Sequence, residues 1–494
     1  MTGMRGDRRE RFGVPNGSTT EPERAPRHIP ASWLVGITVG LFLLIALPVV
    51  VHGAPLADDY LICLRPVNEG YGSYLAEIWH DTGVVRPTRF IELGLISEAC
   101  RSLPFGAIIL VPLALKFVVA FLLYRLLRDM RLPAPWPEIG SAVWLLEPLG
   151  TEAALWPSAL HVPLGLALAL LALLLYRRDR IGWAGVATLG ACLSIEQVIF
   201  AMPLAVWLTT PTRLRRRAAL TAAAVVVAVL VAYTLWPGSN PRQALTLAER
   251  LHNALDKGDW YVFFPAVGLG LHSGVLGFVW AFPYSVAAVV AGGVAGASAM
   301  PGLLSGHRAL PVDRRTVRSS ALAVAVLVLL VNLPLIVTEV GYSARTFTPT
   351  WLVLSATAAI GGAYVRWERV RLLGALAGTA AAFAVLSLAL SASVRVRTAE
   401  FDRAAAQWIA DRVPNGAMVA VCDVTRTVVT PAPLGAFHLH EFHTEWPTWI
   451  QYYTGRRVEI RRSGLPYWGS RCPDLNGADL VIEFPQLVHE LTDP

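Results

Sequence analysis

Long apolar stretches, separated by short polar segments rich in arginine, dominate the pattern along the chain. A helix that crosses the ~30 Å hydrocarbon core of a bilayer needs about 20 apolar residues. Residues 31–51 meet this requirement, and the pattern predicts ten further spans, several of them short or interrupted. These spans lie near 104–124, 136–150, 159–176, 181–195, 197–209, 218–236, 273–303, 319–338, 347–365 and 371–393. The pattern therefore predicts an all-α polytopic membrane protein with about eleven transmembrane helices.

The placement of arginine between the spans predicts the orientation of the chain. The N-terminal 30 residues and five clusters on one side of the predicted spans hold 23 of the 42 basic residues. The clusters are Arg125/Arg128/Arg131, Arg177/Arg178/Arg180, Arg213/Arg215/Arg216/Arg217, Arg308/Arg314/Arg315/Arg318 and Arg366/Arg369/Arg371. Cytoplasmic loops carry such an excess. The N-terminus is therefore predicted in the cytoplasm and the C-terminus outside, in a multi-pass protein of a plasma membrane, as in a bacterial cell.

Polar segments around the spans divide the chain into predicted parts. Residues 1–30 are predicted to form a disordered cytoplasmic tail, followed by a transmembrane domain over 31–393. A cleaved signal peptide is the alternative for the first span, but many further spans follow it. The outer segments are a loop over 52–103, a segment over 237–262 with an amphipathic stretch near 243–255, and a tail over 394–494.

The outer tail has a mixed pattern of its own. A helical pattern over 399–413 is followed by strand-like runs over 417–422 and 478–484. These elements predict a small extracytoplasmic α/β domain.

Composition narrows the class of protein further. Hydrophobic residues make up 54% of the chain and charged residues 16%, with a mean hydropathy of +0.50. These values exclude a disordered protein and disfavour a soluble enzyme. The net charge of +7 is explained by the arginine clusters, so no nucleic-acid partner is expected. No internal repeat is evident, which disfavours a transporter built from duplicated halves.

The five cysteines fit the predicted orientation. Cys63 and Cys100 lie in the first outer loop, Cys422 and Cys472 lie in the outer tail, and Cys192 lies inside a span. Two pairs on the oxidising side are disulfide candidates, and buried free thiols are the alternative.

Two adjacent carboxylates follow the first span at the predicted outer membrane surface. Placing the carboxylates of Asp58 and Asp59 beside hydrocarbon costs free energy, so their presence there indicates a function. Burial and mutual repulsion would raise the pKa of at least one of them, which suits a general base. The alternative is a solvated pair that caps the next helix.

A candidate anion site follows in the same loop. Residues 71–81 read as a short amphipathic helix on the membrane surface, and Pro87 is suited to the first position of a helix. Arg86 and Arg89 flank that helix start, where guanidinium groups and helical N–H groups favour a phosphate. Contact with lipid headgroups is the alternative.

Further polar residues at membrane depth are candidate ligands. Glu147, Glu152, Trp156 and His161 are predicted to contact a sugar through carboxylates, an indole and an imidazole, with a helix cap and a membrane-interface tryptophan as the alternative. Glu196 interrupts an apolar run, where it marks a cavity or the outer turn of a helical hairpin.

Two cations are candidates for a lipid-linked phosphate. Arg345 lies in a short outer loop with Tyr342 nearby, and Lys116 lies inside a span, from which it can also snorkel to an interface. His438, His440 and His443 resemble a metal-ligand set, and His438 and His440 would share one face of a strand. A metal site also needs a third ligand in the right geometry, which the sequence cannot show, so no metal site is assigned.

The layout and three short motifs resemble the GT-C glycosyltransferases. The motifs are Ala57-Asp58-Asp59-Tyr60, Arg86-Pro87-Thr88-Arg89 and the segment from Trp156 to His161. That superfamily includes the protein O-mannosyltransferases, the aminoarabinose transferases of lipid A and the arabinofuranosyltransferases. The chain contains no W-W-D-Y-G-like run, so an oligosaccharyltransferase is disfavoured.

The resemblance implies a mechanism and its residues. A sugar carried on a polyprenyl phosphate would pass to a cell-envelope glycan, lipid or protein, with inversion at the anomeric carbon. Asp58 or Asp59 would be the base, Tyr60 would contact substrate, and Arg345 with Arg86 or Arg89 would stabilise the leaving phosphate. No cofactor is certain, although some relatives need a divalent cation.

Three alternatives to this enzyme remain open at the level of sequence. They are a flippase or transporter of lipid-linked sugars, a glycan polymerase of the O-antigen type that uses a lipid-diphosphate donor, and a non-catalytic membrane scaffold. The candidate residues cluster on one predicted face, whereas a transporter needs ionisable residues along a path through the bilayer.

Overall fold

The computed structural model describes most of the membrane-embedded part of the chain and a piece of the tail. The described residues are 29–53, 55, 58–79, 87–147, 154–235, 248, 275–305, 314–336, 347–364, 369–422, 450–462, 476–483, 486–487 and 490–491.

Fourteen α-helices and three strands are bounded within the described residues. The helices are α1 Ala31–His52, α2 Asp58–Glu69, α3 Tyr71–Ile78, α4 Pro87–Ser102, α5 Phe105–Asp129, α6 Trp136–Leu145, α7 His161–Arg177, α8 Ile181–Ser194, α9 Met202–Thr209, α10 Thr212–Leu235, α11 Tyr284–Leu303, α12 Arg314–Ile336, α13 Thr348–Tyr364 and α14 Val370–Arg412. Short 3-10 helices at Pro157–Ala159 and Glu196–Val198 precede α7 and α9.

The chain is a predominantly helical membrane protein. Among the described residues, six helices are long and apolar enough to cross a bilayer, and two shorter apolar helices accompany them. The helices α6 and α9 have only 10 and 8 residues, about 15 and 12 Å in length. They are therefore shorter than the predicted spans 136–150 and 197–209. The count of eleven spans stays a prediction.

Glycine allows two pairs of helices to approach at backbone distance. Gly53 caps the C-terminal end of α1 with a φ of 56°, and it lies against Gly106 at the start of α5. In α11 and α14, a Cβ on Gly296 would collide with the carbonyl oxygen of Gly374, and one on Gly378 would collide with that of Gly292. Within α11, Gly292 and Gly296 are four residues apart, and so are Gly374 and Gly378 within α14. This is the small-residue spacing that brings membrane helices together.

Helix α14 is longer than the sequence pattern predicted. It runs without interruption from Val370 to Arg412, so the predicted span 371–393 and the predicted tail helix 399–413 are parts of one helix. Its 43 residues extend ~64 Å, about twice the thickness of a hydrocarbon core. The predicted boundary at residue 394 therefore falls inside a helix.

The chain after α14 forms a small parallel sheet against the end of that helix. The strands β1 Met418–Cys422, β2 Glu459–Arg462 and β3 Leu480–Glu483 have the order β2-β1-β3. Two of them were predicted, and β2 was not. Phe401 and Ile409 of α14 share one apolar core with Val419 of β1. The sheet is thereby packed directly on the far half of α14.

Candidate functional site

The carboxylate of Asp59 lies at the end of the helices that is predicted to face outward, which we call the outer end. Its side chain is 0% exposed. The backbone N–H of Ser158 donates to Oδ1 at 3.2 Å, and Nη2 of Arg395 lies 3.5 Å from Oδ2. Three segments that are far apart in the chain thus meet at one acidic group. Asp58 is the first residue of α2, and its side chain lies outside the described residues.

Apolar packing between α1 and α14 positions this contact. Val49, Leu388 and Ala392 are buried in one core that fixes α14 along the outer half of α1. Arg395 follows Ala392 by three residues and so lies on the same face of α14. The side chain of Arg395 is 7% exposed, and it therefore reaches Asp59 inside the protein.

The Asp59–Arg395 pair is a buried ion pair in energetic terms. Removing two charges from water costs several kcal/mol per ion, and mutual attraction offsets that cost only with good geometry and further hydrogen bonds. The Ser158 N–H supplies one such bond. A charge that loses its partner here would stay desolvated, so each residue depends on the other.

A second polar cluster lies at the same end, where α4 and α7 begin. Pro87 is the first residue of α4, as predicted, and Arg89 follows in the first turn. Nη1 of Arg89 lies 3.5 Å from Nδ1 of His161, and Oε2 of Glu92 lies 4.0 Å from the same nitrogen. The hydroxyl of Thr88 donates to the carbonyl of Leu193 at 2.8 Å, which ties this cluster to α8. Arg89 and His161, predicted from separate motifs, are thus neighbours.

Lys116 and Glu147 form one buried ion pair. Nζ of Lys116 lies 3.2 Å from Oε2 of Glu147, and both side chains are almost fully buried. The ammonium also lies 5.4 Å from the ring centroid of Phe42 and 5.2 Å from that of Trp144. The two residues were predicted as separate contacts, to a phosphate and to a sugar, and the structure pairs them with each other.

Tyr60 is buried between α2, α14 and the helical residues 450–454. Its hydroxyl donates to Oδ2 of Asp402 at 2.9 Å and lies 3.2 Å from the hydroxyl of Tyr453. Burial, with the nearby Asp402 carboxylate as a smaller cause, raises the pKa of Tyr60 well above its usual value. The phenol therefore stays protonated and holds α2 against α14.

The remaining candidates have varied surroundings. Trp156 is buried beside Ala159, just before the 3-10 turn that carries Ser158. Glu196 is partly exposed and begins the turn between α8 and α9, as the hairpin alternative predicted. Several predicted residues lie outside the described part of the chain, where their roles stay predictions: Arg86, Glu152, Tyr342, Arg345, Cys472, His438, His440 and His443.

Two cysteine pairs were predicted outside the membrane. In the structure Cys63 of α2 and Cys100 of α4 form a disulfide, with Cα atoms 5.4 Å apart. Cys422 is also disulfide-bonded, and Cys192 is a buried free thiol. Disulfides persist in oxidising compartments, which agrees with an external location for α2 and α4.

Two charged residues of the outer end were missed by the sequence reasoning. Arg395 follows the last predicted span on the outer side, where the orientation rule leaves few basic residues, and this was the available signal. Asp402 lies in the predicted tail helix, where a carboxylate gives no sign of burial. Within the described residues, no group of three or more His, Cys, Asp or Glu side chains is placed to hold a metal ion.

No family model, no curated protein and no solved structure matches this chain. Its function is therefore inferred from its own residues.

Proposed function

We propose that this chain is an integral membrane glycosyltransferase that moves a sugar from a polyprenyl-phosphate donor to a cell-envelope acceptor at the outer face. The observation that carries the proposal is the buried contact between Asp59 and Arg395, an acid and a cation at the outer end of apolar helices. A lipid-linked donor enters from the bilayer, so its reacting phosphate would lie at this level.

Asp59 is proposed as the general base of an inverting displacement. The acceptor oxygen attacks the anomeric carbon of the donor, and the new glycosidic bond forms as the bond from that carbon to the phosphate oxygen breaks. The bonding electron pair leaves with the polyprenyl phosphate, and the acceptor proton passes to the carboxylate. Arg395 would stabilise the charge that develops on the leaving phosphate.

The contact between Arg395 and Asp59 would let binding of the donor change the proton affinity of Asp59. The phosphate of this donor is a diester with one negative charge, like a carboxylate, and two of its oxygens can bind a guanidinium in a two-pronged manner. A donor phosphate would therefore compete with Asp59 for Arg395. Loss of the cationic neighbour favours the protonated form of a carboxyl group, so the displaced Asp59 becomes a better acceptor for a proton.

The cluster of Arg89, Glu92 and His161 is proposed to assist substrate binding. It lies on α4 and α7, and α4 contacts the 3-10 turn that carries Ser158. An arginine next to an imidazole and a carboxylate offers donors and acceptors for sugar hydroxyls.

The test is transfer of label by purified protein in liposomes. Radiolabelled polyprenyl-phosphate mannose, arabinofuranose and aminoarabinose serve as donors, and extracted envelope glycans and lipids serve as acceptors. We expect Asp59→Asn to lower transfer by about 10²- to 10⁴-fold, the size of a general-base effect, while the exposed Glu98→Gln on α4 leaves it unchanged. Asp58→Asn, compared with Asp59→Asn, decides between the two acids. Full transfer by Asp59→Asn would overturn the assignment.

One observation favours a second candidate function, transport of a lipid-linked sugar. Lys116 lies eleven residues into α5, ~17 Å from its outer start, and its pairing with Glu147 places ionisable groups deep in the helices. A transporter would move labelled donor lipid across liposomes without forming a glycoside, and Lys116→Met would stop that movement. Glycoside formation that survives Lys116→Met would instead support the transferase.

A further inference from the structure

A cavity of about 410 Å³ opens at the opposite end of the helices, which we call the inner end. It lies where α5 and α7 end and where α9 leads into α10. His161 and Arg177 are the first and last residues of α7, so the cavity lies ~24 Å along that helix from the polar cluster of the outer end. The residues that matter in its lining are Asp129, Arg131, Arg177, Thr209, Thr210 and Arg215.

The cavity has an excess of positive charge. Three arginines line it, Arg131, Arg177 and Arg215, and Asp129 is the one acidic residue among the lining residues. That carboxylate is already engaged by Arg178, whose Nη2 lies 3.2 Å from Oδ2. The lining therefore has an uncompensated excess of cationic groups.

Two of these arginines are held in place by backbone carbonyl groups. Arg177 donates to the carbonyl oxygens of Thr209 and Asp129, so its guanidinium bridges the ends of α5 and α9. Nε of Arg215 donates to the carbonyl oxygen of Thr210 at 3.4 Å. Carbonyl contacts fix a guanidinium without neutralising it, which leaves its charge available to a ligand.

Two residues of the cavity lining carry donors without a partner among the described residues. The side chain of Thr210 is 1% exposed, and its hydroxyl has no hydrogen-bond partner among the described residues. Nε of Arg177 is likewise buried and unpaired within that part of the chain. Helix α10 begins at Thr212, so the N–H groups of its first turn lie next to Thr210. A buried donor without an acceptor is unfavourable, and a ligand oxygen that reached either group would offset that cost.

We propose that this cavity is a binding site for a phosphate group, separate from the outer site. Guanidinium groups, a hydroxyl and the start of a helix are the donors that bind phosphate in proteins. A volume of about 410 Å³ accommodates a phosphate together with a small polar headgroup. The cavity lies at the end of the bundle that carries the arginine clusters, where anionic lipid headgroups of the inner leaflet would reach it.

The test measures ligand binding by the full chain in nanodiscs. Neutral phosphatidylcholine discs are doped with phosphatidic acid or phosphatidylglycerol, and a separate set in neutral lipid is titrated with inorganic phosphate. Native mass spectrometry counts retained lipid, and thermal unfolding reports bound phosphate. Retention of anionic lipid alone assigns the phosphate to a headgroup, and a shift with millimolar or lower inorganic phosphate assigns it to a soluble anion.

Variants inside and outside the cavity distinguish a specific binding site from non-specific attraction of anions to the arginine-rich surface. We expect Arg131→Gln to weaken binding at least tenfold and Thr210→Val, which removes only a hydroxyl, to weaken it severalfold. Arg213→Gln removes an exposed charge of the same helix turn outside the cavity and should change binding less than twofold. Equal losses for Arg131→Gln and Arg213→Gln, unchanged binding by Thr210→Val, or no binding of any probe by the wild type would overturn the proposal.

Discussion

Two Arg–Asp pairs lie at opposite ends of the helix bundle, and their surroundings differ more than their geometry. At the outer end, Arg395 and Asp59 are 3.5 Å apart with side chains 7% and 0% exposed. At the inner end, Arg178 and Asp129 are 3.2 Å apart with side chains 50% and 26% exposed. The side chains of the second pair are open to solvent, whereas those of the first pair are buried and the Ser158 N–H donates to Asp59. The same two residue types are therefore expected to affect the free energy of unfolding more at the outer end than at the inner end.

The largest expected effect follows from breaking the outer pair. Arg395→Gln removes the guanidinium that lies 3.5 Å from the buried Asp59 carboxylate, and loss of one partner of a buried pair costs about 3–5 kcal/mol of unfolding free energy. Titration with SDS in mixed micelles, followed by tryptophan fluorescence, measures this change. A loss no greater than that of Arg178→Gln would show that the two ends do not differ in energy.

The disulfide between Cys63 of α2 and Cys100 of α4 tests whether the helices of the outer end add stability of their own. The double variant Cys63→Ser/Cys100→Ser should lower the unfolding free energy by about 2–4 kcal/mol, because the cross-link limits the unfolded chain. Dithiothreitol should lower the stability of the wild type toward that of the variant. A wild type indifferent to reductant would contradict the expectation.

Replacing both members of the outer pair separates stability from function. Asp59→Leu/Arg395→Met removes both buried charges, so stability should return to within about 1 kcal/mol of the wild type. The proposed function predicts that this variant has no glycosyl transfer, because it lacks both the proposed base and the proposed cation. If the double variant is as unstable as Arg395→Gln alone, the pair stabilises the helices through contacts other than its charges.

The smallest effect is expected at the inner end. Arg178→Gln should change the unfolding free energy by less than about 1 kcal/mol, and the difference should shrink as salt is raised, because exposed charges are screened. The same SDS titration at low and high ionic strength measures it. A large, salt-independent loss would mean that this pair is coupled to the neighbouring cavity.

Local patterns predicted much of this architecture. The helices that correspond to spans, the start of α4 at Pro87 and two of the three strands were visible because apolar periodicity and proline act over a few residues. Strand β2 has only four residues, Glu459–Arg462, and three of them are charged, so its sequence does not resemble a strand. It forms a strand through its pairing with β1.

The partners within the candidate site were not predictable in the same way. Asp59 and Arg395 are separated by more than three hundred residues, and Lys116 of α5 meets Glu147, which lies two residues after the end of α6. Such contacts depend on how α1, α5 and α14 pack, which no local pattern encodes. The extension of α14 was missed because Arg395 and Arg397 resemble the end of a span when the buried partner of Arg395 is unknown.

The uninterrupted course of α14 has a mechanical consequence. A single rod ~64 Å long joins the glycine contact with α11, the arginine that holds Asp59 and the face against which the sheet packs. A tilt of about 5° around that glycine pivot would carry the far tip by about 5 Å. A load applied to the sheet would therefore shift the guanidinium beside Asp59 as well.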